Sequence, residues 1–291
     1  MSFSQPLRIR ARQITDADIE AVVNLLTRGF AVRSRYYWQR ALMTLKLHPT
    51  PGGFPKFGYL LESDGTPVGV ILLIFSTIPA ANGCRTRCNI SSWYVEPEFR
   101  AYASMLISQA IKYKDVTYVN ISPAKHTRRI IEAQGFSRYS NGQFVCVPAL
   151  NMTCADSDAR VTVVDVPPTV QFGSSEHDLL SIHKAHGCLS LWCETPTGVH
   201  PFAFMPRLVK GAVTCAQLIY CRDIREFVRF ARPVGRYLTA RGRPFVIIDS
   251  NGPIPGLVGK YFGDKTPKYF KGPDQPRFGD LAYTEGVMFG H

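Results

Sequence analysis

The spacing of apolar residues along the first 147 positions alternates between strand and helix periods, and this alternation constrains the fold most strongly. It predicts elements in the order β, α, α, β, β, β, α, β, α, β. One helix is predicted where apolar residues recur at helical spacing between Ile19 and Leu26, with Thr15 or Asp16 as its cap. The dipeptide Asp64-Gly65 separates two apolar runs and predicts a tight hairpin. The first half of the chain is therefore expected to combine strands and helices in one domain.

The second half repeats this order in a weaker form. Residues 151–160 are polar without periodicity, which indicates a linker between domains at residues 1–150 and 161–291. One domain with an irregular extension is the alternative. The run DLAYTEGVMF, residues 280–289, is predicted as the closing strand. Residues 252–273 are predicted as a surface loop with buried aromatic side chains, in preference to part of a substrate site.

Bulk composition places the chain among packed globular proteins, with 45% hydrophobic and 12% aromatic residues. The best apolar run, residues 68–75, has the length of a buried strand and is far shorter than the ~20 residues of a membrane span. The N-terminus lacks a hydrophobic signal region, so we expect a cytoplasmic protein. The eight cysteines include no Cys-x-x-Cys pair and are expected to be reduced and mostly buried. The segment HKAHGCLSLWC lacks the spacing of a zinc site, and no metal is expected.

The net charge of +12 favours anionic partners in general. The basic residues are spread along the chain, whereas binders of nucleic acid more often concentrate them in a patch with interleaved aromatic residues. A nucleic-acid partner is therefore not favoured. Phosphorylated cofactors, acidic proteins and anionic lipid stay open as partners.

Two motifs carry a resemblance to a known family. Residues 93–105, WYVEPEFRAYASM, pass from a predicted strand into a helix, and residues 130–139, IIEAQGFSRY, end a helix on Gly135-Phe136. In this order, after a strand, two helices and a hairpin, residues 8 to 147 resemble the GCN5-related N-acetyltransferases, the GNAT superfamily.

The resemblance implies the fold class α/β (α+β), with two GNAT-like domains, each a mixed, mostly antiparallel twisted sheet flanked by helices. The second domain would be degenerate and would complete a substrate groove. The implied activity is transfer of an acetyl or longer acyl group from acetyl-CoA or another acyl-CoA to an amine or hydroxyl acceptor, without a metal. The alternative is a catalytically degenerate protein that binds acyl-CoA or an acyl carrier protein as a sensor or scaffold.

The resemblance also implies a binding site for the thioester carrier. A helix N-terminus exposes N–H groups that suit phosphate oxygens, and Arg100 would add a charge-assisted contact. The strand ending at Val95 would bond the pantetheine arm as an additional strand would. The implied cofactor-binding residues are Tyr94, Val95, Arg100, Ala101, Tyr102, Ala103, Ser104 and Met105. Two of them depart from the family, because Ala103 and Met105 stand where glycines are usual.

Candidates for the acid–base chemistry are fewer. The family's usual tyrosine falls on Ile131, and a common asparagine falls on Ala124. We therefore consider His126, together with Glu62 and Tyr118, as catalytic residues. The Val95 amide is the implied donor to the oxyanion.

Overall fold

The computed structural model describes residues 8–80, 83–152, 158–168 and 173–290, and packing divides them into two compact units. Unit 1 contains the described residues up to Asn120 together with Lys271–Asp274. Unit 2 contains Ile121–Phe270 and Gln275–Gly290. The sequence predicts a domain boundary near residue 150 from the repeating order of elements. The division by packing does not test that repeat, so the boundary stays a prediction. Of the predicted linker, residues 153–157 lie outside the described residues.

Unit 1 contains the first eight predicted elements in the predicted order. They are β1 (Ile9–Gln13), α1 (Ile19–Gly29), α2 (Arg35–Leu47), β2 (Gly58–Ser63), β3 (Thr66–Ala80), β4 (Gly83–Val95), α3 (Ala103–Ala110) and β5 (Thr117–Asn120). Its strands lie in the order β1-β2-β3-β4-β5, antiparallel except for the parallel pair β4 and β5. The predicted hairpin is confirmed, because Asp64 and Gly65 both adopt positive φ angles, 47° and 83°, between β2 and β3.

Unit 2 begins with the last two elements of the predicted first domain and adds a further set. Its elements are α4 (Arg128–Ala133), β6 (Ser137–Cys146), β7 (Arg160–Val163), α5 (Ser174–Ala185), β8 (Leu189–Thr195), β9 (Gly198–Val209), β10 (Val213–Tyr220), α6 (Ile224–Arg229), α7 (Ala231–Thr239), β11 (Phe245–Ser250), β12 (Gly259–Lys271) and α8 (Glu285–Met288). The strand order is β12-β6-β11-β10-β9-β8-β7. Strands β10 and β11 are parallel and are joined through α6 and α7.

Two predictions in the second half are wrong. Residues 280–289 contain the short helix α8 and one isolated bridge, Tyr220 to Asp280, where a closing strand was expected. The last strand is β12, inside the segment that was expected to be a surface loop. Glycine, lysine and proline hide its period, and its pairing with β6 is interrupted between Gly263 and Lys268.

Apolar packing in unit 2 explains where its helices lie. Phe227 of α6 and Phe230 after it are fully buried in a cluster with Phe202 and Phe204 of β9. The helical run is interrupted near Pro233, since α6 ends at Arg229 and Pro233 stands in the first turn of α7, where proline is tolerated.

Seven cysteines lie among the described residues; none of them is in a disulfide, and six of them are buried. None of the helices in the described ranges is both long and apolar enough to cross a membrane.

Helix α7 approaches a neighbouring backbone at Gly235. A Cβ atom there would lie 2.2 Å from the amide nitrogen of Ala149 and 2.5 Å from the carbonyl carbon of Pro148. Helix propensity alone favours alanine over glycine by about 1 kcal/mol. We expect the opposite sign for Gly235→Ala, a loss of roughly 1–3 kcal/mol in the free energy of unfolding, because backbone atoms cannot yield as a side chain can. Urea denaturation measures it.

The matched control is Thr239→Ala, at the exposed end of the same helix. This change raises helix propensity without a clash and should leave stability equal or slightly higher. Equal stability of Gly235→Ala and the native protein would show that the helix can move away from Pro148.

Candidate functional site

Strand β4 continues well beyond the end of its parallel partner. The pair β4 and β5 is hydrogen-bonded in register at Arg87, Cys88 and Asn89 of β4. Strand β5 then ends at Asn120, whereas β4 runs on through residues 90–95. Among the described residues of unit 1, no strand pairs with this last part of β4 on the side of β5. The two strands therefore part and leave one backbone edge of β4 open.

A β-bulge lies within the open part of β4. Val70 of β3 pairs with Tyr94 and Leu72 pairs with Ser91, so β4 has one residue more than β3 between these pairs. Ser92 has a φ of 51°, in the left-handed region that costs a residue other than glycine about 1–3 kcal/mol. Bulges of this kind are over-represented next to active sites, where they redirect backbone groups.

The amide of Val95 faces the open edge. Glu96 donates its N–H to the carbonyl of Val68 at 2.9 Å, and the register continues as Val95 with Gly69. Residues of an antiparallel strand bond alternately to either side. Val95 therefore directs its N–H and C=O away from β3, towards the space left by β5.

The two side-chain faces beside this edge are closely packed. Val95 lies on the face of α3, where a Cβ at Gly69 would come within 3.0 Å of the Val95 side chain and 3.3 Å of Leu106. Tyr94 lies on the opposite face, with its ring over Gly29; a Cβ there would lie 2.4 Å from the ring. The ring centroid of Phe30 is 6.4 Å from that of Tyr94. Both glycines thus fix side chains at the end of β4.

The predicted phosphate contacts lie on the segment after β4. Pro97–Tyr102 is a 3-10 helix that continues into α3. Arg100 and Ser104 are exposed, and Met105 is 36% exposed.

The amides of this segment are not all available to a ligand. The N–H of Phe99 donates to the carbonyl of Glu96, and the N–H of Ala103 donates to the carbonyl of Arg100. The expected set of free amides beyond residue 99 is thus partly used inside the 3-10 helix. Arg100 and Ser104 add exposed polar side chains to this surface.

Glu62 lies in a structural ion pair. Its buried carboxylate accepts hydrogen bonds from Nε of Arg12 at 2.7 Å and from Nε of Arg10 at 2.8 Å. The hydrogen bond from Arg12 is the main cause that lowers the pKa of Glu62, with that from Arg10 adding to it. Arg12 also pairs with Asp18, just before α1. These contacts tie β1, β2 and α1 together and do not support Glu62 as a general base.

The other two predicted catalytic residues differ in exposure. Tyr118 is only 1% exposed, and its hydroxyl accepts the N–H of Tyr113 at 3.1 Å. Burial raises the pKa of Tyr118 well above its ordinary value, so the phenol holds its proton firmly. His126 lies in the 3-10 helix Lys125–Thr127, in unit 2, with an exposed ring. Tyr118 is therefore a core residue, and His126 stays a prediction.

Sequence reasoning missed the bulge at Ser92 and the place of Gly29. A serine in a strand gives no signal of a positive φ, and the bulge depends on how many residues separate distant pairing partners. The tight packing of Tyr94 on Gly29 needed the tertiary structure. No group of three or more His, Cys, Asp and Glu side chains suited to a metal occurs in the ranges that the structure describes.

Comparison with known proteins concerns the fold alone. No family model matches the sequence, and neither does any curated protein. Among solved structures, a GCN5-related N-acetyltransferase from Anabaena variabilis matches with a TM-score of 0.58 at 12% identity, over 91% of this chain and 72% of that one. One from Kribbella flavida gives 0.57 at 12% identity, over 91% and 71%. Eis1 from Mycobacterium abscessus gives 0.55 at 10% identity, over 91% and 73%.

These likenesses define the class of structure. The chain has the fold of the GCN5-related N-acetyltransferases, a mixed and mostly antiparallel sheet flanked by helices, and the fold predicted from the sequence is confirmed. The parted strands β4 and β5 lie in unit 1 of this fold.

The ion pairs of Glu62 predict how stability depends on pH. A carboxylate whose folded pKa is lowered stabilises the fold above its unfolded pKa, about 4.3, and loses that contribution as pH falls through the folded value. We expect Glu62→Gln to cost roughly 1–3 kcal/mol at pH 7. The difference from the native protein should shrink below about pH 4. Thermal unfolding at a series of pH values measures both effects.

Asp115→Asn is the control, because this carboxylate is exposed in the same unit. Its stability should follow the native protein at every pH. A difference between Glu62→Gln and the native protein that persists unchanged at pH 3 would contradict an electrostatic origin.

Proposed function

We propose that the protein is an acyltransferase that takes an acyl group from a coenzyme A thioester and transfers it to an amine or hydroxyl acceptor. The observation that carries this proposal is the open edge of β4, with the Val95 amide directed into it beside the bulge at Ser92. The fold shared with the GCN5-related N-acetyltransferases supports it.

The open edge suits an extended ligand that has amides of its own. The pantetheine arm of coenzyme A carries two, and a chain of this kind can pair with a free strand edge as an added strand does. Because β4 and β5 part after Asn89, residues 90–95 have backbone groups that such an arm would satisfy.

The Val95 N–H would stabilise the charge that develops during transfer. Attack on a thioester carbonyl places negative charge on its oxygen, and a fixed amide donor directed at that oxygen lowers the barrier. The bulge and the contact between Val95 and Gly69 hold this amide in place before the ligand arrives. That fixed position is why a backbone donor suits this role.

The phosphates of the carrier would lie near the start of α3. Arg100 and Ser104 are exposed there and offer a charge-assisted hydrogen bond and a hydroxyl donor. In this arrangement the side chains of Arg100 and Ser104 would contribute more to phosphate binding than they would beside a loop whose amides are all free.

Acceptor and proton transfer complete the proposal. The ring of Tyr94 and the neighbouring Phe30 offer an apolar surface beside the open edge, on the face opposite α3. Direct attack requires a neutral nucleophile and a group that accepts its proton. His126, the predicted acid–base residue with an exposed side chain, belongs to unit 2 and is not assigned to this edge of unit 1. Glu62 and Tyr118 are engaged in structural contacts and are not assigned to the reaction.

Val95→Pro tests the oxyanion donor. Proline removes the amide hydrogen, while the sheet keeps its bonds because this amide does not face β3. We expect thiol release from acetyl-CoA, measured with a panel of primary amines, to fall about 100-fold. Affinity for coenzyme A, measured by calorimetry, should change much less.

Val95→Ala is the matched control, since it keeps the amide and shortens the side chain. It should retain the rate within a few-fold when folded protein is compared. Equal rates for the proline and alanine variants would remove Val95 from the mechanism. Binding of acetyl-CoA by the native protein without thiol release for any amine would make it a thioester-binding protein and not a transferase.

Arg100→Ala tests the phosphate contact. We expect it to weaken coenzyme A binding about tenfold, the effect of one charge-assisted contact of ~1.4 kcal/mol at an exposed site. Pantetheine, which lacks the phosphates, should bind both proteins equally. Arg40→Ala removes an equally exposed positive charge from α2 and should leave both affinities unchanged. Equal weakening by both arginine variants would indicate attraction by net charge alone.

A further inference from the structure

Unit 2 contains a second pair of parallel strands that part early. Strands β10 and β11 pair at Cys215, Ala216 and Gln217 of β10, and β10 continues to Tyr220 without further pairing to β11. Ile219 is an extra residue relative to β9, so a bulge again lies beyond the last parallel pair. Helices connect the two strands, as in unit 1. The construction that opens the edge of β4 therefore occurs twice.

The edge of β10 has a partner, whereas no strand in the described part of unit 1 pairs with the end of β4 on the side of β5. Cys221 donates its N–H to the carbonyl of Gly279 at 2.9 Å, and Leu281 donates its N–H to the carbonyl of Ile219 at 2.7 Å. Tyr220 and Asp280 form the antiparallel bridge between these bonds. A short extended piece of the chain thus occupies the space between the parted strands.

Side chains hold this piece in place. Arg277 donates to the carbonyl of Cys221 at 3.0 Å, and its guanidinium lies 5.2 Å from the ring centroid of Tyr220. Arg277 also pairs with the buried carboxylate of Asp280 at 3.5 Å. The charge of Asp280 is therefore compensated beside the strand edge.

Position 279 combines a left-handed backbone with a close approach to the side chain of Cys221, and glycine suits both. Gly279 has a φ of 73°, and a Cβ there would lie 2.5 Å from Sγ of Cys221. Leu281 and Ala282 are buried, and the N–H of Tyr283 donates to Nε2 of the buried His183 at 3.2 Å. The segment is packed as an interior element.

We propose that residues 279–281 are the resident occupant of a second cleft, filling in unit 2 the position that the arm of a thioester carrier takes in unit 1. The inference rests on the proposed function for its account of unit 1. It follows that the protein binds its carrier at the edge of β4 and not at the edge of β10. Because the occupant is part of the chain, a free carrier competes against a tethered group with an effective concentration in the millimolar range or above.

Gly279→Val tests the close contact. The side chain should force residues 279–281 away from β10 and expose Cys221, which is fully buried and whose pKa burial raises. We expect labelling of Cys221 by a thiol reagent, located by mass spectrometry, to become at least about tenfold faster than in the native protein.

Gly211→Val is the matched control, because Gly211 has a φ of 71° and no atom near the position of a Cβ. It imposes the same backbone strain in a turn of unit 2 without touching β10. Labelling of Cys221 that rises equally in both variants, or in neither, would overturn the proposal.

Hydrogen exchange on the native protein tests the inference without any variant. The amide of Cys221 should exchange slowly and together with that of Leu281, since one opening event frees both. Rapid exchange at Cys221 would overturn the proposal even if Gly279→Val failed to fold.

Adding coenzyme A separates the two proposals. We expect slower exchange at Val95 and no change at Cys221. An unchanged Val95 amide would count against the proposed function and leave the occupied cleft intact. A change at Cys221 would show that a carrier enters unit 2, which the further inference forbids.

Discussion

The early parting of β4 and β5 is the constraint on which the functional arrangement of unit 1 depends. Backbone N–H and C=O groups need partners, and a buried group without one costs about 1–3 kcal/mol. Strand β5 ends one residue after its last pair with β4, whereas β4 continues through residues 90–95. Such an edge favours a ligand that brings donors and acceptors in extended order. The acyl donor proposed above meets this requirement through the amides of its pantetheine arm.

Small residues and one strained residue keep the edge in position. Gly69 allows Val95 to lie against α3, and Gly29 allows the Tyr94 ring to lie flat on α1. Ser92 carries the positive φ of the bulge. Local strain of this kind persists only where the surrounding packing determines it. The rigidity of the Val95 amide is therefore a property of the packed sheet and not of the loop that follows it.

The features that were predicted correctly from the sequence depend on residues close together in the chain. The order of elements and the turn at Asp64-Gly65 depend on spacing and on residues that tolerate positive φ, and both were predicted. Strand β12 was missed because its pairing with β6 is nonlocal and its glycines and lysines hide the period. Glu62 was considered a base because the sequence does not show that Arg12 would lie beside it. The geometry of the site depends on partners that are distant in sequence. The spacing of motifs therefore predicted only the strand and the helix that border the site.

Each unit contains a pair of parallel strands that part early, but the edge that this opens differs between the two units. At Val95 the amide points into an edge with which no strand of the described part of unit 1 pairs, and at Cys221 the comparable amide bonds to Gly279. The segment that fills the edge of β10 places Gly279 next to the thiol of Cys221 and is followed by Tyr283 with a φ of 57°. Both features cost conformational free energy in the native fold. These costs are offset if unit 2 would be less stable with the edge of β10 empty than with it filled. By the same argument, an edge that stays open in unit 1 is stabilised when a ligand binds, and that dependence makes it suited to binding.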